Sequence, residues 1–281
     1  MIAAKPRHKA EFEVSDTSPL GAAVKQRDAD ILRMVRSALD RRDVLLAFQP
    51  VVNARNHGST AFYEGLIRVL DDTGRVIPAG EFIDACETNE VGRIIDCLSL
   101  EMGLKALAEA PSLRLSINMS ARSIGYPRWM QTLERGLAAD ATLAERLIIE
   151  ITESSAIVLP DITSVFMLDL QMRGVAFALD DFGAGYTAFR YFKDFFFDII
   201  KIDGQFVRGI AQSPDNRVIC EAMVSIARHF DMFTVAEFVE TAEDAAVLAE
   251  MGVDCLQGYH FSAPTTAPAW KEFPRSLRRT G

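Results

Sequence analysis

Two aspartates, Asp180 and Asp181, stand side by side at the end of the apolar run VAFALDD, and Gly183 and Gly185 follow at once. Adjacent carboxylates repel, and in a low-dielectric site one of them is driven toward protonation unless a cation is present. Alone, DDFG reads as the start of a turn, because Asp and Gly are common turn residues. Other apolar runs carry polar residues in the same way: Glu64 in TAFYEGLIRVL, Asn118 in LRLSINMS, Glu150 in RLIIEIT, Glu237 in FTVAEFVE and Gln257 in CLQGYHF. A ring of carboxylate and amide oxygens is the donor set of a hard cation such as magnesium or manganese. Glu64, Asn118, Glu150 and Asp180 would supply one ion, with neutral Asn118 limiting the charge excess. Asp181 and Glu237 would serve a second, with Asp180 as the bridge.

Neighbouring residues in a regular strand point to opposite faces. Asp180 and Asp181 therefore share a site only if the strand ends between them, with Gly183 and Gly185 allowing the backbone to turn. The same alternation sets Glu153 and Glu240 opposite Glu150 and Glu237, as loop anchors rather than ligands. Lys201 lies inside the apolar run DIIKID, on the same face as Asp203. A lysine there is costly unless it meets negative charge. Beside a metal it would hold and orient a nucleophilic water.

The elements that must position these residues repeat along the chain. Short β-rich runs at 45–52, 60–70, 113–120, 146–152, 175–181, 198–203, 233–240 and 255–261 are separated, for the most part, by segments of helical periodicity. Such alternation predicts a TIM-like (β/α)8 barrel, whose chemistry sits at the C-terminal ends of the strands. An open doubly wound sheet fits less well, since no glycine fingerprint follows the first strand. Residues 1–27 read as a flexible N-terminal arm, an amphipathic lead-in helix is expected from Asp28 to Arg42, the barrel occupies 28–272, and 273–281 form a tail.

The formal net charge of −9 over 281 residues argues against binding a nucleic acid polymer, which demands a basic surface. Cys86, Cys97, Cys220 and Cys255 are scattered singly, which suits a reducing compartment and not a zinc site. No run reaches the length of a membrane span and the start has no apolar signal-peptide core, so a cytoplasmic location is expected.

The stretches FQPVV, EGLIR, INMS, EITES, DDFGAGYTAF, IIKIDGQFV, AEFVET and QGYHFSAP resemble, in order and spacing, the motifs of the EAL-domain phosphodiesterases of bacterial cyclic di-GMP signalling, over about residues 28 to 270. The resemblance implies a modified TIM barrel that hydrolyses cyclic di-GMP to linear pGpG by two-metal activation of water, with two Mg2+ or Mn2+ ions. It implies metal ligation by Glu64, Asn118, Glu150, Asp180, Asp181 and Glu237. Lys201 and Glu237 become catalytic, as water holder and general base, together with Glu153, which anchors the loop running through Tyr186. Gln49, Leu66, Arg68, Asp203, Gln257, Tyr259 and Pro264 become substrate contacts, Arg68 toward phosphate and Gln49 toward guanine. A homodimer is also implied. Gly65 replaces the alanine of the name-giving motif, Phe238 replaces the glycine usual after Glu237, and His260 and Ala263 stand where leucine and lysine are common. Phe238 is the departure that would displace the Glu237 carboxylate. The alternative is a catalytically weak or inactive EAL-like receptor that binds cyclic di-GMP and signals through a protein partner.

Overall fold

The computed structural model describes residues 19–184, 195–268 and 270. Helix α1 (Pro19–Arg41) leads into a long hairpin of β1 (Val44–Asn53) and β2 (Asn56–Leu70), followed by the short β3 (Val76–Pro78), α2 (Ile83–Cys86) and α3 (Glu90–Glu109). Strand and helix then alternate: β4 (Leu115–Asn118), α4 (Pro127–Ala139), β5 (Leu147–Thr152), α5 (Glu153–Val158), α6 (Pro160–Gln171), β6 (Ala176–Phe182) and β7 (Ile199–Ile202). The chain continues with α7 (Gly204–Val207), α8 (Pro214–His229), β8 (Phe233–Ala236), α9 (Ala242–Met251) and β9 (Cys255–Leu256).

The strands close into a barrel in the order β1-β9-β8-β7-β6-β5-β4-β2, with β2 returning to β1 and β3 added to the end of β2. Strand β1 runs antiparallel to both of its neighbours, and the other barrel pairs are parallel. The cause is local. Asn53 Oδ1 accepts the backbone N–H groups of Arg55 and Asn56 and tightens a hairpin turn, whereas a parallel connection needs a dozen or more residues. All eight expected strands form, although the last pairs only over Cys255–Leu256.

Two boundaries differ from expectation. Helix α1 begins at Pro19, so residues 19–27, read as part of the arm, are helical. Residues 22–27 are exposed, show no periodicity of their own and extend a helix nucleated where Val35, Ala38 and Leu39 pack against α3 and the outer face of β2. The long helical stretch after Pro78 is broken, because Asn89 accepts the Val91 N–H and caps a new helix, α3. Residues 1–18, Gly185, Tyr186 and the 273–281 tail lie outside the described residues.

Each barrel strand buries both faces. Outward residues such as Leu115, Leu147, Ile149 and Phe177 join the main core beneath the helices, where Phe166 packs edge-on to both Trp129 and Phe177. Inside the barrel, Val51, Phe62, Ile148, Ala178, Ile199, Val235 and Cys255 form a separate apolar layer. This layer is the floor of the site. All four cysteines are buried and free, and among the described residues no helix is long and apolar enough to cross a membrane.

Candidate functional site

Two residues beyond that floor, on the same inward face of each strand, stand the polar residues: Glu64 after Phe62, Glu150 after Ile148, Asp180 after Ala178, Lys201 after Ile199, Glu237 after Val235 and Gln257 after Cys255. Gln49 precedes Val51 because β1 runs the other way. The period of two thus sends seven polar side chains to one mouth of the barrel.

Lys201 stands at the centre, 1% exposed. Its Nζ lies 2.8 Å from Glu150 Oε2, 2.8 Å from Glu237 Oε1, 2.9 Å from Asp180 Oδ1 and 3.4 Å from Glu64 Oε2. Amides fix Glu64 from either side: Asn118 Nδ2 donates to Oε1 at 2.8 Å and Gln257 Nε2 to Oε2 at 2.6 Å. Gln257 Nε2 also donates to Gln49 Oε1 at 3.2 Å, and Gln49 Nε2 to the Ser262 carbonyl at 3.1 Å.

One ammonium does not neutralise this crowd. Burial, reinforced by repulsion from Glu64, pushes the Glu150 carboxyl up to about 8. Burial and then Asp180 push Asp181 up to about 6, and burial raises Glu237 well above the usual carboxylate range. For Glu64 burial acts upward too, but the Lys201 charge and the bonds from Gln257 and Asn118 outweigh it and leave the carboxyl below its ordinary value. Burial likewise opposes the Lys201 charge, yet the carboxylates, Asp180 foremost, hold its pKa well above that of a free lysine. The site is short of positive charge.

The aspartates share the site by a different device from a strand end between them. Leu179 pairs with Ile200 and Phe182 with Ile202, so β6 carries one extra residue, a β-bulge. Asp181 takes φ 55° there, the left-handed region that aspartate tolerates better than most residues. This brings it to the side of Asp180 while the strand continues to Phe182. Gly183 (φ 96°) then turns the chain. Its N–H donates to Glu153 Oε2 at 3.3 Å and its carbonyl accepts from Gln205 Nε2 at 2.9 Å, so Glu153 touches the start of the loop it was expected to anchor.

Asp180, Asp181 and Glu237 each offer a carboxylate oxygen, all within 4.8 Å of one another. Glu64, Asn118 and Glu150 border this group but face Lys201 or each other. The donor set is all oxygen, as a hard divalent ion requires. Buried Glu150 Oε1 has no hydrogen-bond partner among the described residues, and a cation would satisfy it. Asn118 spends its Nδ2 on Glu64, which leaves its carbonyl oxygen as the end suited to a metal. The residues present therefore fit a divalent metal centre.

A cavity of about 560 Å³ opens above the ring, and Gln49, Leu66, Arg68, Gln257, Tyr259 and Pro264 line it. Asp203 is not in its lining; its Oδ1 accepts the Gln205 N–H at 2.7 Å and caps α7. Glu240, set opposite Glu237 by alternation, reaches the wall of the cavity and lies 3.4 Å from Arg208. Asp96 also lines the cavity and was missed. It is buried on α3, accepts from Ser123 Oγ at 2.5 Å and from the Ser120 N–H at 3.1 Å, and so holds the loop that follows Asn118. An acid inside the apolar helical run IIDCLSL was as conspicuous as Lys201.

The departures in sequence have physical readings. Phe238 adopts φ 53°, a conformation that favours glycine. Its ring lies against Gly204, where an added Cβ would fall 2.4 Å from Phe238 Cδ2, and the Arg208 guanidinium sits 4.2 Å from the ring centre. Glu237 meanwhile keeps its 2.8 Å contact with Lys201. At Gly65 a Cβ would come 2.8 Å from Ile117 Cδ1, so the missing methyl makes room for that side chain.

Comparison with known proteins agrees with this geometry. Residues 32–264 match the EAL domain family. The chain is 29% identical over 252 residues to cyclic di-GMP phosphodiesterase PdeF of Escherichia coli (strain K12), an alignment that covers 87% of this chain and 33% of that protein. It is 29% identical over 247 residues to the bifunctional diguanylate cyclase/cyclic di-GMP phosphodiesterase MucR of Pseudomonas aeruginosa, covering 86% and 36%. The chain thus spans about a third of the length of the curated relatives it matches. Among solved structures, the FimX EAL domain from Pseudomonas aeruginosa bound to c-di-GMP superposes with a TM-score of 0.77 at 27% identity, covering 85% of this chain and 97% of that one. By this match and by the fold and charge ring described above, the chain belongs to the EAL domain family.

Proposed function

We propose that this chain is a metal-dependent phosphodiesterase that hydrolyses cyclic di-GMP to linear pGpG. The observation that carries the reading is the oxygen-rich ring at one barrel mouth, with a single buried lysine among four carboxylates. Relatives that act on or bind cyclic di-GMP support the choice of substrate. Asp180, Asp181 and Glu237, with Glu64, Asn118 and Glu150, would hold two divalent ions, magnesium or manganese. Such ions, when bound, lower the pKa of the attacking water and offset negative charge at the phosphate.

The side chains do the rest. Lys201 orients the attacking water, and Glu237, whose Oε1 lies 2.8 Å from the Lys201 ammonium, takes its proton. The water oxygen forms the new bond to phosphorus while the 3′ oxygen leaves. Gln49, Gln257 and Arg68 hold the nucleotide over the ring, with Leu66, Tyr259 and Pro264 as the apolar wall, and positioning contributes much of the acceleration. Glu153 keeps Gly183, and with it Asp181, in place. Asp203 acts on substrate only through the start of α7. The four free thiols suit a cytoplasmic setting. The exposed stripe Val158, Ile162, Val165 and Leu168 along α5 and α6 suits a homodimer, which sedimentation should show as dissociating in Val165→Glu.

The decisive experiment incubates the chain with cyclic di-GMP and manganese and separates the products by chromatography. The wild type should release pGpG, and Asp181→Asn should retain affinity but lose most turnover. Binding without product in the wild type would replace this reading with that of a cyclic di-GMP receptor.

A further inference from the structure

The opposite mouth of the barrel holds a second, larger cavity of about 660 Å³. Its floor is the underside of the apolar layer, with Phe62, Ile148, Ile199, Val235 and Cys255, and small Ala176 leaves the space open. Arg55 and Arg114 stand at the rim. The Asn53 side chain pins the hairpin turn that carries Arg55, and the Arg114 carbonyl accepts the Tyr63 N–H at 3.0 Å and fixes the approach to β4. Neither guanidinium has an ion-pair or hydrogen-bond partner among the described residues.

The acidic side of the rim is differently employed. Asp198 Oδ2 accepts from the Phe177 N–H at 2.8 Å and from Gln171 Nε2 at 3.0 Å. Asp254 Oδ2 accepts from the Thr234 N–H and hydroxyl, both at 2.8 Å. These carboxylates pin the starts of neighbouring strands, and only exposed Glu145 on that side is uncommitted. A cavity of this volume, apolar below and with two uncommitted guanidiniums above, has the form of a small-molecule site.

We propose that the N-terminal mouth of the barrel is a second ligand site, which takes a small alkyl or aryl carboxylate with its apolar body on the Phe62–Val235 floor and its head on Arg55 and Arg114. The site is separate from the proposed phosphodiesterase centre and does not depend on that activity. One layer of side chains divides the two, since Ile148, Ile199, Val235 and Cys255 each precede a polar ring residue by two positions.

The test uses 8-anilinonaphthalene-1-sulfonate fluorescence on the full chain, with decanoate as competitor. Saturable binding at one site, displaced by decanoate, is expected. The double variant Arg55→Ala/Arg114→Ala should weaken both ligands by about tenfold or more, as the loss of charge-assisted hydrogen bonds implies. Ala176→Phe should fill the cavity and abolish binding; if that variant does not fold, the exposed arginine pair decides alone. Arg68→Ala in the other cavity and Val165→Glu on the α6 stripe should leave binding unchanged. Absence of saturable binding, indifference to the arginine pair or to a folded Ala176→Phe, or loss of binding in Arg68→Ala or Val165→Glu would each overturn the proposal.

Discussion

Lys201 holds the metal-free site together, since the four carboxylates of Glu64, Glu150, Asp180 and Glu237 meet on its ammonium. Lys201→Met should cost about 3–5 kcal/mol in the presence of a chelator, the scale for leaving buried charges unpaired. Manganese should then raise the melting temperature of the variant more than that of the wild type, while turnover stays lost. Equal melting temperatures in chelator would remove Lys201 from this role. Phe238 presents the opposite case, a residue that costs stability. Phe238→Gly should stabilise the fold by about 1 kcal/mol, because a left-handed conformation costs a non-glycine residue about that much. Gly204→Ala, whose methyl meets the ring, should destabilise the wild type by about 1–3 kcal/mol and the Phe238→Gly background far less. Additive effects in urea denaturation would refute this contact.

Strands supply the ring, but a bulge and residues of three helices hold it in register. The β6 bulge brings Asp181 beside Asp180, Glu153 at the start of α5 and Gln205 on α7 clamp Gly183 just beyond it, and Asp96 on α3 ties down the loop after β4. Burial pushes the Asp96 carboxyl up to about 7, against its two hydrogen bonds. Between about pH 4 and 7 the unfolded chain therefore releases this proton before the folded chain does, so this contribution to stability falls as pH rises and levels off above the folded pKa. Asp96→Asn should remove that part of the slope and be more stable than wild type at pH 8 by about 1–3 kcal/mol. Urea denaturation at pH 5 and pH 8 checks this, and an unchanged difference between the two pH values would assign the slope to other groups. The variant also tests the anchoring role, since an amide keeps an acceptor for Ser120 and Ser123.

The whole barrel brings together an acidic ring whose donors fit a divalent cation. Millimolar manganese should raise the melting temperature, by the equivalent of about 2.7 kcal/mol at a hundredfold excess over the dissociation constant. Protons on Glu150 and Asp181, with carboxyls near 8 and 6, compete with the ion, so the shift should be larger at pH 8 than at pH 6. A shift independent of pH would mean that these carboxyls are not ligands. Much of this was legible in the chain itself. The eight runs, their alternation with helices, the polar residues they carry and the order of the motifs are local properties, and they sufficed for the barrel and its family. That β1 runs antiparallel, through the hairpin turn pinned by Asn53, went unread. Barrel closure was needed to bring Lys201 against Glu64, 137 positions earlier, because such a contact depends on which strands become neighbours and not on any local period. The side on which Asp181 lies turned on a left-handed φ that nothing in the residue type demanded. The cavity beneath the ring exists only because inward side chains from separate strands meet at one height in a closed barrel, with Ala176 too small to fill the space.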